Sequence, residues 1–80
     1  MAIFYAGYGG YTHVANVTSI VEAAVALNPT VYANNEYMQG DPLPGTTKGF
    51  FVVWQDNNGI YRSACCQEDD KVLLEAFRRV

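Results

Sequence analysis

Cationic residues are few in this 80-residue chain: five Lys plus Arg stand against eight Asp plus Glu, a net charge of −3 at pH 7. That balance leaves no basic stripe to neutralise phosphates, so nucleic acid is not an expected partner, although 14% of the residues are aromatic and could stack on bases. Histidine occurs once, as His13, and cysteine only as the adjacent pair Cys65 and Cys66. Spaced thiols or several histidines, the raw material of metal and redox sites, are missing, so neither a metal nor a cofactor is expected. Neighbouring cysteines rarely close on each other, because the ring is strained, and on a strand they would face opposite ways; both read as small free hydrophobes. No hydrophobic run approaches a membrane span, and Met1-Ala2-Ile3-Phe4-Tyr5 lacks the cationic start of a signal peptide, so the expected setting is the cytoplasm, away from membranes. Charged residues are only 16% against 50% hydrophobic, which excludes a disordered chain. Its length gives one domain, residues 1–80, with no room for a second core.

The residues that are present read as alternating strand and turn. Residues 3–11 predict a strand entering a glycine-rich turn, with Ile3, Tyr5 and Gly7 on one face and Phe4, Ala6 and Tyr8 on the other. The run Gly7-Tyr8-Gly9-Gly10-Tyr11 lacks the Lys-Ser/Thr of a phosphate loop and is not followed by a βαβ pattern. Ser19-Ile20-Val21-Glu22 has capping-box spacing and predicts one short helix over about 18–27, burying Ile20, Ala23, Ala24 and Leu27 and stopped by Asn28-Pro29. Thr30 to Tyr37 alternates like a strand, and Gly40 to Gly45, with two prolines, forms a stiff loop. Phe50 to Gln55 is the strongest strand; apolar on both faces, it should lie centrally and be covered on both sides. Asp56-Asn57-Asn58-Gly59 marks a hairpin turn returning through Ile60 to Cys66. Glu68 to Val80 fits either a helix opened by Asp69 and Asp70 or a short strand at Val72-Leu73-Leu74; the spacing of Leu73 and Phe77 favours the helix.

Together these elements predict an α+β domain: an antiparallel sheet of four to five strands with one short helix. One helix cannot cover that much apolar sheet. The sheet therefore either folds into a small sandwich or pairs with another copy, and a homodimer is the expected state.

Residues that could carry chemistry are sparse. Ser19 and Ser63 have only His13 as an available base and no glycine elbow, and no spacing supports Cys-His catalysis, so no catalytic residue is assigned and an enzyme is not expected. The richest stretch is Asn34 to Lys48, where amide, carboxylate, phenol and ammonium groups surround a proline-fixed loop. Such a set can hydrogen bond a polyol while Tyr32 or Tyr37 offers a ring face. The same residues can serve the fold instead. Asp41 can accept amide protons of its own turn, Lys48 can pair with it, and the asparagines can hold turns.

Asn35, then Gly40-Asp41-Pro42-Leu43-Pro44-Gly45-Thr46-Thr47-Lys48 and the aromatic strand after it, resemble a pattern of the rhamnose/galactose-binding lectin domains. In those lectins an Asn is followed by Gly-Asp-Pro-Cys, one residue, Gly-Thr, one residue and Lys. Ala6-Gly7-Tyr8-Gly9-Gly10 is similar to the same family's early Ala-x-Tyr-Gly-Arg. The Gly-Asp-Pro-x-Pro-Gly-x-x-Lys core also resembles small bacterial domains and a C-terminal domain of unknown function in DnaJ-like proteins. Those relatives lack the lectins' disulfide framework, as does this chain, which has Leu43 at the lectin cysteine and Gly10 at the lectin arginine. The lectin resemblance implies sugar hydroxyls held by Asn35, Asp41 and Lys48, close approach at Gly45, and a contribution from Tyr8 and Gly9. The expected function is a non-catalytic binding module with carbohydrate as the first ligand class. The alternative is a structural or protein-interaction domain with no small-molecule ligand.

Overall fold

The computed structural model describes residues 2–74. Along them run β1 (Ala2–Gly9), β2 (Val14–Asn16), α1 (Thr18–Val25), β3 (Thr30–Tyr32), β4 (Gly49–Gln55), β5 (Tyr61–Gln67) and β6 (Lys71–Leu73). An antiparallel sheet has the order β2-β1-β4-β5, and β3 pairs with β6 in a separate two-stranded ribbon. The expected α+β architecture is what forms.

Strand β4 organises the core. Phe50, Val52 and Trp54 alternate onto its inner face and are almost fully buried. Their partners on β1 are Tyr8 opposite Phe50, Ala6 opposite Val52 and Ile3 opposite Trp54; Cys66 and Ala64 of β5 lie across Phe50 and Val52 on the other side. Val17, Val21 and Val25 close over this face from the helix, and Val31, Ala33, Met38 and Leu74 from the ribbon and its flanks. Each fully buried side chain of this kind contributes about 1.5–3 kcal/mol. Packing, not propensity, holds a helix of only eight residues.

Local details differ from the sequence expectations, each for an identifiable reason. On β1, Ile3 pairs with Trp54 but Tyr5 with Val53, so Phe4 is an extra residue that shifts the alternation. Ile3 thereby joins Ala6 and Tyr8 on the inner face, while Tyr5 and Gly7 face outwards with Val53 and Phe51. In α1, Ser19 does not cap; Val17 occupies the cap position with no side-chain cap bond. Asn16 Oδ1 accepts from Thr18 N at 3.0 Å and Thr18 Oγ1 at 2.6 Å, and Thr18 Oγ1 accepts from the Ala6 amide at 3.0 Å. This tie to β1 sets the helix rotation: Val17, Val21 and Val25 face the core, Ile20 and Ala24 flank it, Ala23 and Leu27 are exposed, and the helix ends at Val25.

Strand β3 stops at Tyr32 instead of reaching Tyr37, because Asn34 starts a helical turn: its Oδ1 accepts from Tyr37 N at 2.6 Å and its carbonyl from Met38 N at 3.0 Å. Strand β4 is central as expected, but among the described residues only its inner face is covered; Phe51 on the outer face is 40% exposed. Asp69 and Asp70 do not open a helix. They belong to the turn into β6, where Ala33 N donates to Asp70 O at 2.9 Å and Asp69 N to Ala33 O at 2.6 Å, giving the lone β3 a partner. The rest of the expected terminal helix, Phe77 included, lies outside the described residues. Cys65 and Cys66 are free, one exposed and the other on the core side of β5.

The β1–β2 turn folds back so closely that a Cβ on Gly9 would lie 2.1 Å from the His13 carbonyl oxygen. Backbone cannot yield as a side-chain tip can, so Gly9→Ala is expected to cost at least about 2 kcal/mol. Denaturant titration checks this; a loss below about 0.5 kcal/mol, the range of an ordinary surface change, would contradict the close approach.

Candidate functional site

The loop 40–48 is built around one cation. The Lys48 side chain, just before β4, is 2% exposed. Its ammonium is surrounded by Asp41 Oδ1 at 2.9 Å, Thr46 O at 2.9 Å, Glu68 Oε1 at 3.3 Å and Leu43 O at 3.4 Å. Three N–H protons facing these acceptors leave none for a ligand. Glu68 also grips the lysine main chain: Lys48 N donates to Glu68 Oε1 at 2.9 Å, and Glu68 N donates to Lys48 O at 2.7 Å. Asp41 holds its own turn by accepting from Leu43 N at 3.2 Å. Both structural jobs open to Asp41, turn acceptor and lysine partner, are therefore performed by the same oxygen.

The electrostatics follow from these contacts. The hydrogen bond from Lys48 holds the Asp41 carboxyl below its ordinary value, and the Lys48 amide, then its ammonium, does the same for Glu68. The Asp41 carboxylate in turn raises Lys48. Beneath the loop, burial pushes the Tyr8 hydroxyl up to about 12, with the negative Glu68 adding to the shift. Tyr8 OH donates to Asn35 Oδ1 at 2.7 Å, which fixes the orientation of that amide.

Asn35, Asp41, Gly45 and Lys48 all line one open cleft of about 360 Å³, together with Thr46, Thr47, Glu68 and Asp69. Gly45 sits at a φ of 80°, a left-handed conformation that turns the loop back and suits glycine. Tyr8 reaches the cleft only through Asn35 and lines a neighbouring hollow of about 330 Å³ beside His13 and Met38. Gly9 does not line the cleft; the turn at His13 accounts for it. Tyr32 and Tyr37 pack edge to face on each other at 6.0 Å and do not line it either. Glu68 is the participant the sequence did not reveal. It stands 20 residues beyond Lys48, and only the β4–β5 pairing brings it back.

Two departures from the lectin pattern meet in space: a Cβ on Gly10 would lie 2.6 Å from Leu43 Cδ2. A larger residue at position 10 would push against the Leu43 side chain, whose tip can move aside without moving the Leu43 carbonyl that accepts from Lys48. No family model, curated protein or solved structure matches the chain.

Acceptor capacity dominates what remains for a ligand. Both contacts on Asp41 fall on Oδ1, leaving Oδ2; Asn35 keeps its amide N–H groups, and Thr46 and Thr47 add hydroxyls at the wall. Among the described residues no three His, Cys, Asp or Glu side chains gather as a metal ion would require. The space between Asp41 and Glu68 is taken by the lysine ammonium.

The cage makes stability depend on pH at both ends. Asp41 and Glu68 bind protons less readily in the fold than at their ordinary 3.8 and 4.5, so their contribution is full above that range and drains as pH falls through the lowered values. Lys48 and Tyr8 are raised above 10.5 and 10.0, so theirs is full below those values and is lost as pH rises, for Tyr8 towards about 12. Lys48→Met should lower Tm by roughly 5–10 °C at neutral pH by stranding two carboxylates, and should shrink the acid-side loss. Thermal melts across the pH range check both; a variant with the parent's Tm and acid limb would show that the cage stabilises nothing.

Proposed function

We propose that this domain is a non-catalytic binding module whose 35–48 cleft takes a neutral, hydroxyl-rich ligand, carbohydrate being the class to test. One observation carries the reading: Asn35, Asp41, Gly45 and Lys48 converge on a single open cleft. Its walls hold three carboxylates, Asp41, Glu68 and Asp69, against one lysine, so an anion would be repelled while hydroxyl donors find acceptors. The likeness of residues 40–48 to the lectin loop supports sugar over other polyols.

Lys48 has a different part here from the one the resemblance implies. Its protons are engaged within the protein, so it positions Asp41 and the loop instead of touching the ligand. Asn35, oriented by Tyr8, and Asp41 Oδ2 would make the direct contacts, with Thr46 and Thr47 beside them. Two free thiols, one exposed, are in keeping with a reducing, cytoplasmic setting.

Titration with rhamnose, galactose and glycerol, followed by NMR at the Asn35 side-chain amide, tests the reading. An open, shallow cleft should bind a monosaccharide with Kd near ~1 mM. Thr47 is exposed at the cleft wall, so Thr47→Lys should abolish binding while leaving Tm within about 2 °C of the parent. No amide shift with any of the three compounds at ~50 mM would overturn the sugar reading.

A further inference from the structure

The outer face of the four-stranded sheet is a second surface, independent of the cleft. Register places Tyr5 on β1, Val14 on β2, Phe51 and Val53 on β4, and Ser63 and Cys65 on β5 on this side. Every outward position on these strands is uncharged among the described residues, in a chain with a net charge of −3. The bulge at Phe4 aims that ring across the sheet onto Tyr61, with centroids 5.9 Å apart, and Tyr5 leans on Phe51 at 5.7 Å. Phe4 is 71% exposed and Tyr61 63%. Next to this aromatic ridge lies a mostly apolar hollow of about 350 Å³ between Phe51, Val53, Ser63 and Cys65.

We propose that this face packs on the same face of a second copy, closing a two-layer β-sandwich across a two-fold axis. A two-fold interface must be self-complementary, and this surface carries both a ridge, Phe4 with Tyr61, and the hollow that could receive it. Charge selects the occupant further. Two acidic copies repel wherever their carboxylates meet, and this face brings none together. Phe4, Val14, Phe51 and Tyr61 expose roughly 450 Å² between them, which already makes up more than half of the ~800 Å² per partner of a standard interface. Sheets stacked in this way sit about 10 Å apart, a distance the projecting rings can fill.

Sedimentation equilibrium of the full chain, in reductant so that exposed Cys65 cannot cross-link copies, is the test. The mass should rise from 8.8 kDa towards twice that value with concentration. Ser63→Asp, which places a charge in the hollow without removing a packed side chain, should raise the dissociation constant at least about tenfold, and Tyr61→Glu on the ridge should do the same. Circular dichroism would verify that both variants stay folded. A chain that remains monomeric up to ~300 μM overturns the proposal and leaves the face to a different partner. A dimer as tight in both variants as in the parent also overturns it, because the copies would then meet elsewhere.

Discussion

An ammonium group taken out of water must be given back its hydrogen bonds and its counter-charge, and the polar end of this protein is arranged to do that for Lys48. Two carboxylates and two carbonyls reach it from residues 41, 43, 46 and 68. The loop closes as it does because Leu43 and Thr46 must aim their carbonyls inward. The start of β4 is locked to the end of β5 because Glu68 holds both the main chain and the side chain of the lysine. Such a pair is weak evidence for net stability, since two charges lose their hydration. Its stronger consequence is geometric: few other loop conformations would satisfy the cation.

The cleft is a by-product of that closure. Gly45, Thr46 and Thr47 form a wall because the chain must arch over Lys48, and Asp41 stands at the rim because one of its oxygens is engaged below. Asn35 comes from a different stretch and is oriented from the core by Tyr8. The Tyr8 phenol is thus one link between the core and the polar site. Its ring packs opposite Phe50, while its hydroxyl sets the amide available to a ligand.

At the opposite surface the constraint is area. Among the described residues, one eight-residue helix and a two-stranded ribbon cover one side of a four-stranded sheet and no more. The inner rows of β1, β4 and β5 become core, and the outer rows, equally apolar in β4, are left to solvent or to a partner. The bulge at Phe4 sharpens this division, since it turns Ile3 inward and sends Phe4 across the outer face.

Some of this was legible in the chain itself. The apolar run of residues 50–55 and the Asn-Gly turn are local signals, and β4 and its hairpin with β5 appear where those signals stand, whereas α1 ends at Val25, short of Asn28-Pro29. The 40–48 loop was visible as a cluster because its prolines, glycines and charged residues are close in sequence. Local signals could not decide which way a strand or helix faces. The β1 bulge, the valine face of α1 and the pairing of β3 depend on ties between distant residues: Ile3 to Trp54 beside Tyr5 to Val53, Thr18 to Ala6, Val31 to Val72. Nor could they show that Lys48 is enclosed, because its cage is completed by Glu68, brought within 3.3 Å only by the pairing of two strands. Composition and periodicity determined the strongest elements, α1, β4 and β5. Long-range pairing decided their rotation and the engagement of the cation, because hydrogen-bond satisfaction and burial are properties of the assembled fold.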